Sequence, residues 1–464
     1  MQTPSRRFAF AFTSLALILG TAACGGGGGG ADDGATSQAS AAAPDSELAT
    51  ALARRKPPPP PPVPTTDATL ALASASASGV AVAGNICGVS ADGGKVLFTS
   101  PSDTLVSGDN RPFLDDIFLK NFNGNGVSRV VNTASRSLAC LAMTPDANTV
   151  VFAADATNGQ VDVLGNSGTE SALLVQNIAT GQQTRVTPLL SSFANVSAFQ
   201  FAGVSDDGLR VAFIAQPTRT CSGFDCTANG PARMLVRDLA TGSLINLESR
   251  VRFTTTQGVA DGTALLAPSG RLLAFSTRAA YPEAASPGGG VFVFDLASAS
   301  VRLVNADATG RQVQLGDVRA FLSSSSKVAF YNATATDAGP AGVYVKDLAI
   351  GSLVRMPANL TLLPGSSVPL SFSDDGRRVS YVESNNLGGQ FFNSLPRVID
   401  LATGAIVNAA TLTNGTVGNG NVTVSALLSR DGRVAAFDNN STNLLGGLSP
   451  LGGAELRAHR KLLP

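Results

Sequence analysis

The sequence predicts an all-β fold, a single ring of seven four-stranded antiparallel blades over residues 67–464, and three observations predict it. An aromatic anchor recurs at Phe98, Phe152, Phe213, Phe275, Phe330, Tyr381 and Phe437, at intervals of 54, 61, 62, 55, 51 and 56 residues. A turn marker follows the anchor at Asn121, Asn177, Asp238, Asp295, Asp347 and Asp400. A count of strands leaves the last unit one short, while a spare strand precedes the first. Two markers repeating in the same order identify a repeat architecture before any single element is assigned.

The third unit shows how each strand is read. Runs of β-branched and aromatic residues bounded by turn residues place strands at 200–205, 210–215, 233–238 and 244–249. Asp207-Gly208 joins the first two, because that pair tolerates the positive φ of a tight hairpin. Ala240-Thr241-Gly242 does the same for the last two. The seventh unit has a third strand near 455–459 and then ends at Pro464. Its fourth strand is assigned to 70–74, Leu-Ala-Leu-Ala-Ser, which closes the ring and removes a free sheet edge.

Ser90-Ala91-Asp92-Gly93, Ser205-Asp206-Asp207-Gly208, Ser373-Asp374-Asp375-Gly376 and Ser429-Arg430-Asp431-Gly432 carry a family likeness. The pattern resembles the TolB-like, WD-like propeller repeats of bacteria, with their Ser-x-Asp-Gly-x-x-Val-Ala-Phe signature. It is degraded at Pro268-Ser269-Gly270 and at 323–326. TolB itself precedes its propeller with an α/β domain that this sequence lacks, so TolB's partner contacts are not carried over.

Residues 1–66 read as address and tether. Arg6 and Arg7 precede an uncharged, mostly apolar stretch at 8–23, the length of a signal-peptide core. The stretch ends in Thr21-Ala22-Ala23-Cys24, which resembles the lipobox of bacterial lipoproteins, with Thr21 where that family usually has Leu. The resemblance implies a signal peptide at 1–23 and acylation of Cys24; ordinary signal cleavage near Cys24 is the alternative. The paired arginines invite a twin-arginine signal, but Ala9 stands where that motif needs Phe, which favours the general secretory route. Six glycines at 25–30 and six prolines at 57–62 make 24–66 a slack-then-stiff tether with no core to bury.

Hairpin turns of the first-to-second and third-to-fourth type share one face of such a ring and are short here. The second-to-third and fourth-to-first connections share the other face and are long: 101–115, 155–171, 216–232 and 278–290. Insertions gathered on one face are where repeat proteins commonly bind. The tether enters a fourth strand from the short-turn face, which orients the long-loop face away from a membrane.

Composition narrows the function. Lys plus Arg and Asp plus Glu are 33 each and charged residues are 14%, so there is no basic footprint for nucleic acid. The one histidine, His459, leaves no place for Ser-His-Asp or Cys-His chemistry or for imidazole-based metal sites. Of four further cysteines, Cys221 and Cys226 share a loop and are expected to form a disulfide. Cys87 and Cys140, on first strands of neighbouring blades, form either a second disulfide or two buried thiols. Asp109, Asn110, Asp115 and Asp116 offer hard oxygen ligands for calcium, or simply turn and strand caps, and no other cofactor is implied. Ser90-Ala91-Asp92-Gly93-Gly94 departs from the sialidase Asp box at Val96 and Leu97, and no Gly-x-Ser-x-Gly elbow occurs. The resulting expectation is a lipid-anchored, outer-membrane binding or scaffold protein that is not an enzyme. Its partner is a protein or an envelope glycan on the long-loop face. A propeller hydrolase or lyase acting through carboxylates and arginines at the channel mouth is the alternative.

Overall fold

The computed structural model describes residues 67–464 apart from 108–114, 125, 132–136, 156–170, 223–224, 254, 257–258, 261–262, 283–285, 287–288, 308, 311, 313–319, 323–326, 333–341, 357–370, 387–391, 421–422, 424 and 446–454. The leader, Cys24 and the tether lie outside the described residues, as do Asp109 and Asn110.

The first blade sets the pattern. Asn85–Val89, Lys95–Ser100, Asp116–Asn121 and Gly126–Arg129 pair in chain order, each antiparallel to the last. Seven sheets of four strands result, and among the described residues two further two-stranded ribbons stand outside them. The seventh blade takes Ala426–Leu428, Val434–Asn439 and Arg457–Leu462 from one end of the chain and Leu70–Leu72 from the other. Leu72 lies opposite His459, so the closing strand sits on the outer edge of the last blade as the strand count required. The third strand of that blade is displaced from the expected 455–459. Val434 pairs with Leu462 and Asn439 with Arg457, which carries the strand to Leu462 and leaves Glu455 exposed before it.

Packing explains why the second and third strands read as continuous apolar runs. Each blade is covered on both faces by its neighbours, as in other sheets buried on both sides. Seven separate buried clusters result, one at each seam between blades. The aromatic anchors stand in these seams, and none is more than 2% exposed. The last seam joins Ala436 and Ala458 to Val96 and Phe98 and closes the ring. Gly93 is required there: its φ is 66°, and a Cβ would stand 2.3 Å from the Val434 side chain. Arg460 crosses the same seam, donating from Nε to the Gly93 carbonyl at 2.6 Å with its guanidinium 4.8 Å over the Phe122 ring.

A second device joins blades. In three blades the residue before the turn marker sends a long polar side chain back to a carbonyl of the preceding blade. Gln176 Nε2 reaches Val130 O at 2.5 Å, Arg237 Nε reaches Val186 O at 3.0 Å, and Lys346 Nζ reaches Ala306 O at 2.8 Å. Lys461 does the same to Thr411 O and also donates to Thr69 Oγ1 at 2.6 Å, pinning the closing strand. Burial lowers the pKa of both lysines.

Candidate functional site

The short-turn face is built from the Ser-x-Asp-Gly repeats. In each, the hydroxyl donates to the aspartate two residues on: Ser90 to Asp92 at 2.6 Å, Ser205 to Asp207 at 2.5 Å, Ser373 to Asp375 at 2.6 Å and Ser429 to Asp431 at 2.6 Å. The backbone of the next strand then donates to the same hydroxyl, as Lys95 does to Ser90 at 2.9 Å. The Ser90 hydroxyl and the Gly94 N–H hold the Asp92 carboxyl below its usual range. These aspartates therefore act as turn locks, each holding its own loop through Oδ1.

Neighbouring turns are stitched around the central channel by backbone bonds. Ala91 N–H donates to Pro145 O at 2.7 Å, Asp206 N–H to Pro268 O at 2.8 Å, Asp374 N–H to Arg430 O at 2.8 Å and Asp431 N–H to Ala91 O at 3.2 Å. Pro145 and Pro268 have no N–H to pass the chain onward. Across the channel itself, Arg430 of the seventh blade forms an ion pair with Asp206 of the third. It also lies 3.5 Å from Asp374 of the sixth. Burial raises the Asp206 pKa, the Arg430 charge opposes this, and Asp374 and Asp207 add to the rise. One mouth of the channel is thus spanned by an ionic cluster.

The chain enters at the same face. Asp67 accepts from the Thr69 and Leu70 N–H groups at 2.8 Å each, and from the Thr413 N–H and hydroxyl of the sixth blade at 2.6 and 2.7 Å. Burial raises its carboxyl, but the bonds from Thr413 and Thr69 outweigh that and hold it well below the usual range. At the other end of the chain, the Pro464 carbonyl accepts from Arg378 at 2.7 Å.

The long-loop face carries the additions. Within 216–232, Arg219–Ser222 and Asp225–Ala228 form an antiparallel ribbon standing outside the blade, with Cys221 opposite Cys226. Cys221 is disulfide-bonded. A second ribbon, Thr255–Thr256 with Val259–Ala260, lies beside it. Arg219 and Ser222 are exposed, so the outer strand of the first ribbon faces solvent. Nearer the ring, Tyr281 is fully buried and its hydroxyl donates to the Arg250 carbonyl at 3.2 Å while accepting from the Arg252 N–H. This ties the connection between the third and fourth blades to the aromatic cluster of Phe253, Phe275 and Phe292.

Two polar groups are enclosed at seams near this face. Glu383 and Arg397 pair at 2.7 Å, and burial together with the Glu383 charge pushes the Tyr381 hydroxyl up to about 12. In the seam between the sixth and seventh blades, Asn439, Ser441, Thr423, Ser394 and Arg457 form a buried network.

Cys87 and Cys140 form a disulfide, with Cα atoms 5.8 Å apart, tying the first strands of the first two blades. The two strands bulge at this point, between Ile86 and Gly88 and between Cys140 and Ala142, which turns the thiols toward one another. Asp116 is buried and lies 3.6 Å from Arg129. Among the described residues no group of three or more His, Cys, Asp or Glu is placed to hold a metal ion. The clusters at Arg430 and Arg457 were not found from the sequence; each is assembled from residues of different blades.

These features define a closed seven-bladed propeller with one spanned mouth and one elaborated face. No protein-family model matches the chain, and no curated protein matches it. Solved structures of similar fold include TolB from Acinetobacter baumannii, 17% identical over 68% of this chain and 63% of that one, with a TM-score of 0.41. The chain thus spans a little under two thirds of that TolB. An oligogalacturonate lyase in complex with manganese is 13% identical over 87% of this chain and 99% of that one, TM-score 0.48. The acylaminoacyl peptidase of Pyrococcus horikoshii is 9% identical over 77% of this chain and 49% of that one, TM-score 0.45.

The expectation that the chain is not an enzyme is corrected by these likenesses, because structures of similar fold include a lyase and peptidases. The physical reason is that a propeller is a scaffold whose chemistry is set by the loops it carries. A shortage of histidine removes imidazole chemistry and leaves carboxylate and arginine chemistry open.

Proposed function

We propose that this propeller is a binding module of the bacterial envelope that engages a protein or glycan partner through its long-loop face. In this reading Cys24 is acylated, the tether spans from an outer-membrane leaflet, and the short-turn face looks back toward the membrane. One observation carries the reading: the ribbon of Arg219–Ser222 and Asp225–Ala228, whose outer strand Arg219–Ser222 is exposed, and its neighbour of Thr255–Thr256 and Val259–Ala260 stand on the face opposite the Arg430 cluster and the entry at Asp67. Cys87–Cys140 supports an exported location, since structural disulfides persist in oxidising compartments.

Two measurements test it. Protease shaving of intact cells or inverted vesicles should cut the 216–232 loop more readily than the Asp67 entry; strong protection of that loop without a bound partner speaks against the orientation. Affinity capture from solubilised envelope should lose its specific partner when residues 219–228 are replaced by a short turn. Recovery of the same partner from both proteins removes the ribbon as a binding element.

A further inference from the structure

The seam between the sixth and seventh blades holds a cation with little to hold it. Arg457 opens the strand Arg457–Leu462 at its long-loop end and is 8% exposed. A guanidinium offers five N–H donors. Here the single hydrogen bond among the described residues is from Nη1 to the Ser441 carbonyl at 3.4 Å, and no ion pair accompanies it. Asp438 is not its counter-ion: it pairs with Ala458, the neighbour of Arg457, so its side chain leaves the opposite face of the sheet, where Oδ1 accepts from Ser425 N–H at 2.9 Å.

The groups beside Arg457 are polar and already satisfied by each other. Asn439 stands directly opposite it, donates to Thr423 Oγ1 at 2.9 Å and accepts from the Ser441 N–H at 2.8 Å. Ser394 closes the set by accepting from the Thr423 N–H at 2.7 Å. Enclosing a guanidinium costs several kcal/mol unless an anion or several acceptors face it. None of the Arg457 nitrogens is among the polar atoms sealed from solvent without a partner, so those that make no hydrogen bond keep some contact with solvent.

We infer that Arg457 is the floor of an anion-binding site at the long-loop face, shaped for one carboxylate carried by the partner. The planar fork takes a carboxylate through two parallel bonds, which a lysine cannot do. The inference deepens the reading that the long-loop face binds, and rests on it. It names the chemistry of one contact: an acidic sugar, or a peptide C-terminus or acidic side chain.

The test uses the chain's one histidine as a built-in reporter. His459 lies two residues from Arg457 on the same face of the strand and stacks on Phe437, with ring centroids 5.1 Å apart. Its ring signals are followed by NMR in the full chain while acetate is added, with chloride at equal ionic strength as control. A saturable shift with acetate alone is expected, lost in Arg457→Gln and weakened roughly 10-fold or more in Arg457→Lys, which keeps the charge and removes the fork. Thermal midpoints establish that each variant is folded; if the Gln variant is not, the Lys variant decides. Absence of a saturable shift in the parent, or unchanged binding in the folded variants, overturns the site. Either result leaves the ribbon-replacement experiment to judge the face separately. Glucuronate against glucose, and a short peptide with a free against an amidated C-terminus, identify which source carries the carboxylate.

Discussion

Arg430 and Asp206 are joined across the central channel, 224 positions apart in sequence and on blades that are not neighbours in the ring. The pair is half-wet, with side-chain exposures of 23% and 39%, so solvent screens it. A double-mutant cycle of Arg430→Ala and Asp206→Ala should give a coupling of about 1 kcal/mol in denaturant unfolding. In Arg430→Ala the Asp206 carboxyl, already raised by burial, should titrate at still higher pH. A coupling indistinguishable from zero would mean that the turns hold the mouth by their backbone bonds alone.

The Cys87–Cys140 bridge closes a span of 53 residues on the channel side of the first two blades. Chain-entropy reasoning for a loop of that size gives about 4 kcal/mol of stabilisation. Cys87→Ala/Cys140→Ala should therefore lower the denaturant midpoint steeply, and reduction of the parent should have a similar effect. A loss under about 1 kcal/mol would show that the bulged strands are already held by the seam around Leu97 and Phe152.

The parts of this fold that were legible are those written in local order. Phe98 and its six counterparts are spaced by the chain itself, and Leu70 to Leu72 has the alternation and following turn of a fourth strand, so blade number and closure followed. Asp238 and its equivalents were equally readable, because an Asx turn is formed with residues only two or three places on: Asp238 accepts from the Thr241 N–H at 2.9 Å. Lys346 was not readable as buried. It precedes a surface turn, where a lysine ordinarily stays solvated, and besides the Gly351 carbonyl of its own turn it needs the Ala306 carbonyl of the preceding blade to be held. Arg430 and Arg457 were hidden for the same reason: one takes its partners from the third and sixth blades, the other is enclosed by the sixth. Asp116, considered as a calcium ligand, is a buried carboxylate 3.6 Å from Arg129, while Asp109 and Asn110 of the same set lie outside the described residues.

Closure should depend on Asp67. It joins the start of the last-laid strand to Thr413 of the sixth blade, and its carboxyl is held low by those bonds. Asp67→Asn should cost about 1–3 kcal/mol near neutrality, the usual effect of removing a charged acceptor. A carboxyl whose folded pKa is depressed contributes fully above its unfolded value of roughly 4 and loses that contribution as pH falls further. The stability gap between parent and variant should thus narrow below pH ~4. A gap that stays constant as the pH is lowered would show that the Asn side chain fails for steric reasons rather than for want of charge.

His459 sets the response to milder acid. The ring is buried against Phe437, and its Nδ1 lies 2.8 Å from the Arg457 carbonyl. Burial lowers its pKa to about 4; the carbonyl contact opposes this and the Arg457 charge reinforces it. Above about pH 6.5 neither folded nor unfolded chain is protonated at this residue, so stability does not vary on its account. Between about 6.5 and 4 the unfolded chain binds a proton that the folded chain refuses, and stability falls with pH. The total loss is of order 3 kcal/mol, at 1.36 kcal/mol for each unit of difference. His459→Phe keeps a ring on Phe437 and removes the titration, so its stability should change little between pH 7 and about 4.5 while that of the parent declines. Equal slopes in the two proteins would place the acid sensitivity on carboxylates instead. Asp67 could not supply it, because its contribution survives until the pH falls below the ordinary carboxylate range.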